Sequence, residues 1–321
     1  MSGSAAARMD EGRQTTEPSA GLQPGSTFQA AASALRPSSS VRIVSLLTDF
    51  GQADAYVGIM KAVILARAPQ ARLVDLTHEV PPHDIARAAF LLYTAAPYFP
   101  PGSVHLAVVD PGVGSRRRPI AIATERAFYV GPDNGIFTYV LAREATRVEP
   151  GTGFAAVELR EPRFRLTPVS DTFHGRDIFA PAAAHLASGG ELGDLGPPVS
   201  DLVRLPPLRL EVSSVAIQGA VLHADRFGNV ITSIGPLAWE GEHLALAAPG
   251  GPLRFSAASA VVEVGGERLH GIHHTYANAA PGALIALVGS HAHLEIALRE
   301  GSAARHLNLG PGDPITIVYA P

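Results

Sequence analysis

The chain has no cysteine, which excludes disulfides, thiolate metal sites and a cysteine nucleophile and leaves chemistry to Asp, Glu, His, Lys, Ser or Tyr. That absence suits a cytoplasmic location. Charge is scarce too: 17% of the 321 residues are Asp, Glu, Lys or Arg and the formal net charge is -4, so there is no basic footprint for a nucleic acid. No stretch reaches the roughly 18 uninterrupted apolar residues of a membrane span. "AAARMDEGRQTTEP" interrupts every early apolar run with charge, as no signal peptide does. No internal repeat occurs. What the chain has is a 46% apolar content, enough at this length for two domains with separate cores.

The first forty residues are rich in Ala, Ser, Gly and Pro without an apolar period, and residues 1–40 are read as a disordered extension. From Val41 the pattern is regular. "VRIVSLL", "ARLVDLT" and "SVHLAVVD" are β-branched apolar runs, alternating with "DAYVGIMKAVILARAP" and "DIARAAFLLYTAAPYF" at helical spacing. Such alternation predicts an α/β domain with a largely parallel or mixed sheet over residues 41–204. "PIAIAT" and "AFYVG" read as a hairpin, and "NGIFTYVLAR" and "DIFAPAAAHLA" as helices. The four prolines of "LGPPVSDLVRLPPLRL" suit a linker. Beyond it, residues 205–321 form short β-rich runs punctuated by Gly, Pro and Asn, which predicts a smaller β-barrel-like domain with helical period returning at "LEIALREGSAARHL".

Ligands of open α/β sheets bind beyond the carboxyl ends of the strands, and here those ends carry Asp49, Asp75 and Asp110. Asp49 sits in "TDFG", the metal-binding triplet of protein kinases, but no glycine-rich phosphate loop precedes it; the plainer alternative is a cap on the next helix. "HEVPPH" spaces His78 and His83 five apart across two prolines, which is not the helical pair of a zinc protease. "DPGVGSRRR" has the glycines of an anion cradle but lacks the lysine-hydroxyl pair and the following helix. Two of its three arginines read as a solvated turn, and one could be held by Asp110 across the loop. His174, in "DTFHGRDIF", stands at a loop-to-helix junction where an imidazole can exchange protons near neutral pH.

Taken in order, "TDFG", "YVGIMKAVI", "DLTH", "FPPGSVHLAVVDPGVGSRRRPIA", "GPDNG", "TFHGRDIFAPAAA", "DRFGNVITSI" and "GSHAHLEIAL" resemble the S-adenosyl-L-methionine hydroxide adenosyltransferases, relatives of fluorinase and chlorinase. The likeness runs from about Val41 to Tyr319. It implies a hydrolase, with no cofactor or metal, that cleaves S-adenosyl-L-methionine with water to adenosine and L-methionine. It implies that Asp110, Arg117 and His174 surround the attacking water, a trio the halogenases lack. By motif position Asp49 would hold the ribose hydroxyls, Asp225 and Ser290 the amino-acid end and Asn229 the adenine, with Asp54 and Tyr276 as additions. His291 stands where fluorinase has an arginine. The resemblance further implies a homotrimer with the site at the subunit interface.

The chemistry is consistent with that set. Methionine leaves a sulfonium as a neutral thioether, so the difficulty lies in the nucleophile: ionising water of pKa 15.7 at pH 7 costs roughly 12 kcal/mol. Arg117 can stabilise developing hydroxide, while either His174 or Asp110 orients the water and takes its proton. Rival readings are a chloride-using halogenase, a non-catalytic nucleoside-binding protein and a metal-dependent phosphohydrolase.

Overall fold

The computed structural model describes residues 43–145, 153–248 and 251–320, and the expected extension over 1–40 lies outside them. Six strands, β1 (Ile43–Thr48), β2 (Arg72–Thr77), β3 (Ser103–Val108), β4 (Pro119–Thr124), β5 (Ala127–Pro132) and β6 (Phe154–Glu158), build the first sheet in the order β2-β1-β3-β5-β4-β6. β2, β1, β3 and β5 run parallel, and β4 is antiparallel to both its neighbours, β5 and β6. The sheet is therefore mixed, and the "PIAIAT"/"AFYVG" hairpin is present as β4 and β5.

Both faces of this sheet are covered, as near-continuous apolar strands require. Alternate residues divide between two cores: Val104, Leu106 and Val108 of β3 join Met60 and Ile64 of α1 (Tyr56–Arg67) on one side. Ala107 and Val109 join Ala88 and Leu92 of α2 (Ile85–Ala95) and Val140 of α3 (Thr138–Ala145) on the other. α4 (Ala180–Ala187) follows a single wide π-turn at Gly175–Phe179 and packs its alanines into the first core. α2 starts on its own cap, because Asp84 accepts from the Arg87 N–H at 2.9 Å.

The proline-rich segment is not a free tether. Val203 N donates to Asp133 and Leu205 N to Thr138 Oγ1, both at 2.9 Å, so it runs docked across the first domain. Beyond it come β7 (Glu211–Val212), β8 (Ala216–Ala224), β9 (Val230–Thr232), β10 (Leu237–Glu240), β11 (His243–Ala248), β12 (Gly251–Ser256), β13 (Val261–Val264), β14 (Glu267–His270), β15 (Leu284–Val288), β16 (Leu294–Leu298) and β17 (Pro314–Val318). The larger sheet is ordered β14-β13-β17-β8-β9-β16-β15, with β7 beside β8, and a bridge between His273 and Leu287 brings its ends together into a nearly closed barrel. β10, β11 and β12 form a separate meander that adds Leu237, Leu244 and Phe255 to the barrel core. The helical period expected at "LEIALREGSAARHL" is corrected here: residues 294–298 are β16, paired with β15 and β9, and only α5 (Ala303–His306) is helical. Tertiary pairing outweighs local period in so short a run.

The two lobes meet around Phe90 of α2, whose ring lies 5.7, 6.2 and 5.1 Å from those of His223, His291 and His293. Arg87 Nη2 donates across the seam to the Ala224 carbonyl at 3.2 Å. No helix among the described residues is long and apolar enough to cross a membrane.

His105, in the middle of β3, is fully buried between Phe99 and Tyr129, with Nδ1 2.7 Å from Ser45 Oγ. Burial pushes its imidazole down to about 4. Between that value and the unfolded 6.5 the unfolded chain binds the extra proton. Stability from this group is therefore complete above about pH 6.5 and lost as pH falls toward 4, a loss of about 3 kcal/mol at 1.36 kcal/mol per unit. Urea titrations of wild type and His105→Asn, which keeps an acceptor for Ser45, should show the variant's pH dependence flatter by roughly that amount.

Candidate active site

β3 continues to Asp110, and the loop from Pro111 to Arg118 folds back beside it. Arg117 Nε donates to Asp110 Oδ1 at 2.8 Å and Oδ2 at 3.0 Å, and Nη2 makes a further short contact to Oδ2. The same Nη2 lies 2.7 Å from His174 Nδ1. Arg117 and Asp110 side chains are 10% and 5% exposed, so the pair is screened little by solvent. Phe179 lies under the guanidinium, 5.1 Å from its centroid.

A guanidinium carries donors only. His174 Nδ1 must therefore be the acceptor, and the neutral ring carries its proton on Nε2. Burial, and then the Arg117 charge, push the His174 imidazole below its ordinary value. The ring is thus held neutral in one tautomer at pH 7.

The glycines serve this packing. At Gly114 (φ +74°) a Cβ would stand 2.6 Å from the Asp171 carbonyl oxygen, and at Gly112 it would stand 3.2 Å from Arg117 Cγ. They let the loop close on the 171–174 segment and on its own arginine. "GPDNG" anchors the far side, since Asn134 Nδ2 donates to the carbonyl of Val109, the residue before Asp110, at 2.8 Å. Of the three arginines, only Arg116 is exposed. Arg118 corrects the solvated-turn expectation: it bonds Asp133 at 2.9 and 2.6 Å and Asp201 at 2.7 Å, tying the loop to the docked segment.

His174 is carried by a loop held from below. Asp177, fully buried, accepts from Arg176 Nε at 2.6 Å and from the Ser170 N–H at 2.8 Å. Gly175 leaves room for Met60 Sδ, which a Cβ would approach to 3.0 Å. Phe50, Tyr56 and Phe173 meet edge-to-face at 5.1 to 6.1 Å, packing the residue after Asp49 against the residue before His174. Asp49 itself directly follows β1 and accepts from the His83 N–H at 2.9 Å. It does not cap α1, whose N-terminus has no side-chain cap. Asp54 is exposed in the loop before α1.

The remaining expected residues gather on the barrel. Asp225 accepts from the Phe227 and Asn229 N–H groups at 2.9 Å and from Asn229 Nδ2 at 3.0 Å, which makes "DRFGN" a closed turn. Tyr276 donates to Glu295 at 2.5 Å, and His291 Nε2 lies 3.6 Å from the other Glu295 oxygen. Ser290 is exposed at the β15–β16 turn. Burial raises the Glu295 carboxyl, and burial with the bond to Glu295 raises the Tyr276 phenol. Sequence reading missed Glu295, although a lone acid inside the apolar run "LEIAL" is a signal for a buried polar role. Phe227 stands 78% exposed at the tip of the Asp225 turn. Among the described residues no hydrogen bond, ion pair or ring contact joins this group to the Asp110–Arg117–His174 group, and no three His, Asp or Glu side chains converge as metal ligands would.

An α/β domain and a barrel, with a neutral histidine and a carboxylate-locked arginine at a strand end, define a two-domain enzyme fold with an acid-cation-imidazole site. The N-terminal domain model of the SAM hydroxide adenosyltransferases matches residues 44–196 and the C-terminal domain model residues 219–316. The chain is 43% identical over 285 residues to the (R)-S-adenosyl-L-methionine hydrolase of Thermus thermophilus, covering 87% of this chain and all of that one. A fluorinase from an Actinoplanes species is more distant, at 26% identity over 62% of this chain and 73% of its own. A solved structure of an uncharacterized conserved protein from Thermotoga maritima superposes with a TM-score of 0.73 at 32% identity, over 86% of this chain and 99% of that one. The chain belongs to the SAM hydroxide adenosyltransferase family.

Gly114→Ala should cost about 1–3 kcal/mol in urea unfolding, because the left-handed backbone and the Asp171 carbonyl both resist a Cβ. It should also lower turnover by moving Arg117 away from His174. Unchanged stability would mean that the loop has room to yield.

Proposed function

We propose that this enzyme hydrolyses S-adenosyl-L-methionine to adenosine and L-methionine by in-line attack of water on the 5′ carbon, and that its substrate is the (R)-sulfonium form named for its relatives. The observation that carries this reading is Arg117 Nη2 placed between Asp110 and the lone pair of a neutral His174. Both Asp110 oxygens already accept from Arg117, so the carboxylate serves as the anchor and His174 as the base. As a water binds, the Arg117 donor turns from Nδ1 to the developing hydroxide, and the freed Nδ1 lone pair takes the proton. The resulting imidazolium is balanced by Asp110. Electrostatic stabilisation of this kind supplies a large share of many enzymatic barriers, and fixed geometry supplies much of the rest. No acid is required for the leaving group, since the thioether departs uncharged. No cofactor or metal is assigned a part.

On this reading Asp49 holds the ribose hydroxyls, with Asp54 at the entrance, while Asn229 meets the adenine and Asp225, Tyr276 and Ser290 the amino-acid end. The two groups of residues act together in a homotrimer, the barrel of one subunit completing the α/β site of the next. An apolar face supports this arrangement: Tyr56, Ile59 and Leu65 of α1 and Val74 of edge strand β2 are 38–47% exposed, more than a solvent-facing helix and edge strand need. The cytoplasm is the proposed location.

Product chromatography in ¹⁸O water tests the reaction. Label in the 5′-hydroxyl of adenosine is expected, and 5′-chloro-5′-deoxyadenosine as the main product in chloride would overturn it. Arg117→Ala should lower kcat by about 10²–10³-fold, with KM changed far less. Because His174 must be neutral and its folded value is depressed, kcat should hold below pH 6.5 and fall only as pH drops through that lowered value. His174→Asn should remove this acid limb and most turnover.

A further inference from the structure

The carboxyl ends of β1 and β2 share a chain of polar contacts that the reaction does not use. Lys61 Nζ of α1 donates to Asp75 Oδ2 at 2.6 Å. His78, 1% exposed, places Nε2 3.0 Å from Asp75 Oδ1, with its N–H off the line of a straight hydrogen bond, and Nδ1 2.8 Å from Thr48 Oγ1. Thr48 Oγ1 in turn accepts from the Phe50 N–H at 3.2 Å, and the His78 carbonyl accepts from the Gly51 N–H at 2.8 Å. These contacts bracket Asp49 on both sides.

The donors can be assigned. A carboxylate accepts only, so a neutral ring beside Asp75 is placed with its proton on Nε2, Nδ1 then accepts from the Thr48 hydroxyl, and Thr48 Oγ1 accepts from the Phe50 N–H. The Phe50 amide and the Thr48 hydroxyl thus donate in succession toward the His78 ring, which lies 3.0 Å from an Asp75 held by Lys61 from the other side. Reversing the ring would make Nδ1–H and the Phe50 N–H both donate to Thr48 Oγ1, and the Thr48 hydroxyl proton would lose the acceptor that Nδ1 offers. The Thr48–Gly51 turn is therefore tied to His78 through both the imidazole and the carbonyl of that residue. One Asp49 oxygen is taken by the His83 N–H, from the loop that follows His78. The carboxylate of Asp49 is thus presented by two loops that the His78 side chain and backbone pin together.

We propose that Lys61, Asp75, His78 and Thr48 form a positioning chain whose task is to aim Asp49 at a vicinal diol of the substrate. None of the four touches the reacting atoms. The proposal rests on the reading that Asp49 faces the ribose.

The test compares adenosine with 2′,3′-dideoxyadenosine by calorimetric binding to the full-length protein, alongside KM and kcat for S-adenosyl-L-methionine. Wild type should bind adenosine at least about tenfold tighter, as expected for hydroxyls bonded to a carboxylate. Asp75→Asn should shrink that ratio severalfold and raise KM in step, leaving kcat within about twofold and dideoxyadenosine affinity unchanged. Lys61→Met, at the solvent-facing end where folding is not at stake, should shift the ratio in the same direction by a smaller factor. His78→Asn, whose amide oxygen can still accept from Thr48, should fall between Asp75→Asn and His78→Ala. Equal weakening of both nucleosides, or an unchanged ratio in Lys61→Met and Asp75→Asn, would overturn the positioning role while leaving the hydrolase reading intact. A wild type that turns over S-adenosyl-L-methionine yet does not distinguish the nucleosides would instead remove Asp49 from the ribose, and the inference with it.

Discussion

The site depends on one constraint: a guanidinium can only donate. Placing Arg117 between a carboxylate and an imidazole fixes which of the three groups donates and which accept. Asp110 accepts from two guanidinium nitrogens, His174 is held neutral with its proton on Nε2, and Arg117 keeps one nitrogen at the boundary between them. The surrounding sequence serves that contact. Gly112 and Gly114 let the loop close, Phe179 supports the guanidinium from below, Asn134 anchors the strand end, and Asp177 fixes the turn that carries His174. The π-turn at Gly175–Phe179 fits the same purpose, since an extra residue per turn re-aims the first side chain of a helix and such turns gather at functional sites.

How much of this could be read from the sequence follows from the range of the forces involved. The alternating apolar runs of β1 to β3 and their helices obey local periodicity, so the α/β domain was legible. Asp110 and Arg117 lie seven residues apart across a glycine loop, near enough for their pairing to be foreseen. The partners of Arg118 were not, because Asp201 lies 83 residues away on a segment whose docking no local pattern encodes. The strand at residues 294–298 was hidden for a related reason: its apolar and small residues satisfy a helical period, and only pairing with β15 and β9 decides the matter. Glu295 was masked by the same pattern. The barrel emerged from turn residues, but its closure at His273 and Leu287 is a long-range contact.

The division of labour between the lobes has an electrostatic logic. With His174 neutral, the Asp110–Arg117 pair sums to no net charge, so the chemical centre does not repel a sulfonium as a bare arginine would. The reaction then destroys charge: hydroxide and sulfonium become an alcohol and a thioether. A reaction of that type gains from a site that water cannot screen, because the attraction between the approaching charges grows as the local dielectric falls. The low exposure of Asp110 and Arg117 provides this. Binding makes the opposite demand, since the amino-acid end of the substrate carries its charges into the product and needs permanent partners. On the proposed reading those partners are Asp225, Tyr276 and Ser290 of the barrel, with Asp225 set in its closed turn and Tyr276 held on Glu295. Carried on the other lobe, those partners do not compete for Arg117, and its guanidinium stays matched to the Asp110 carboxylate.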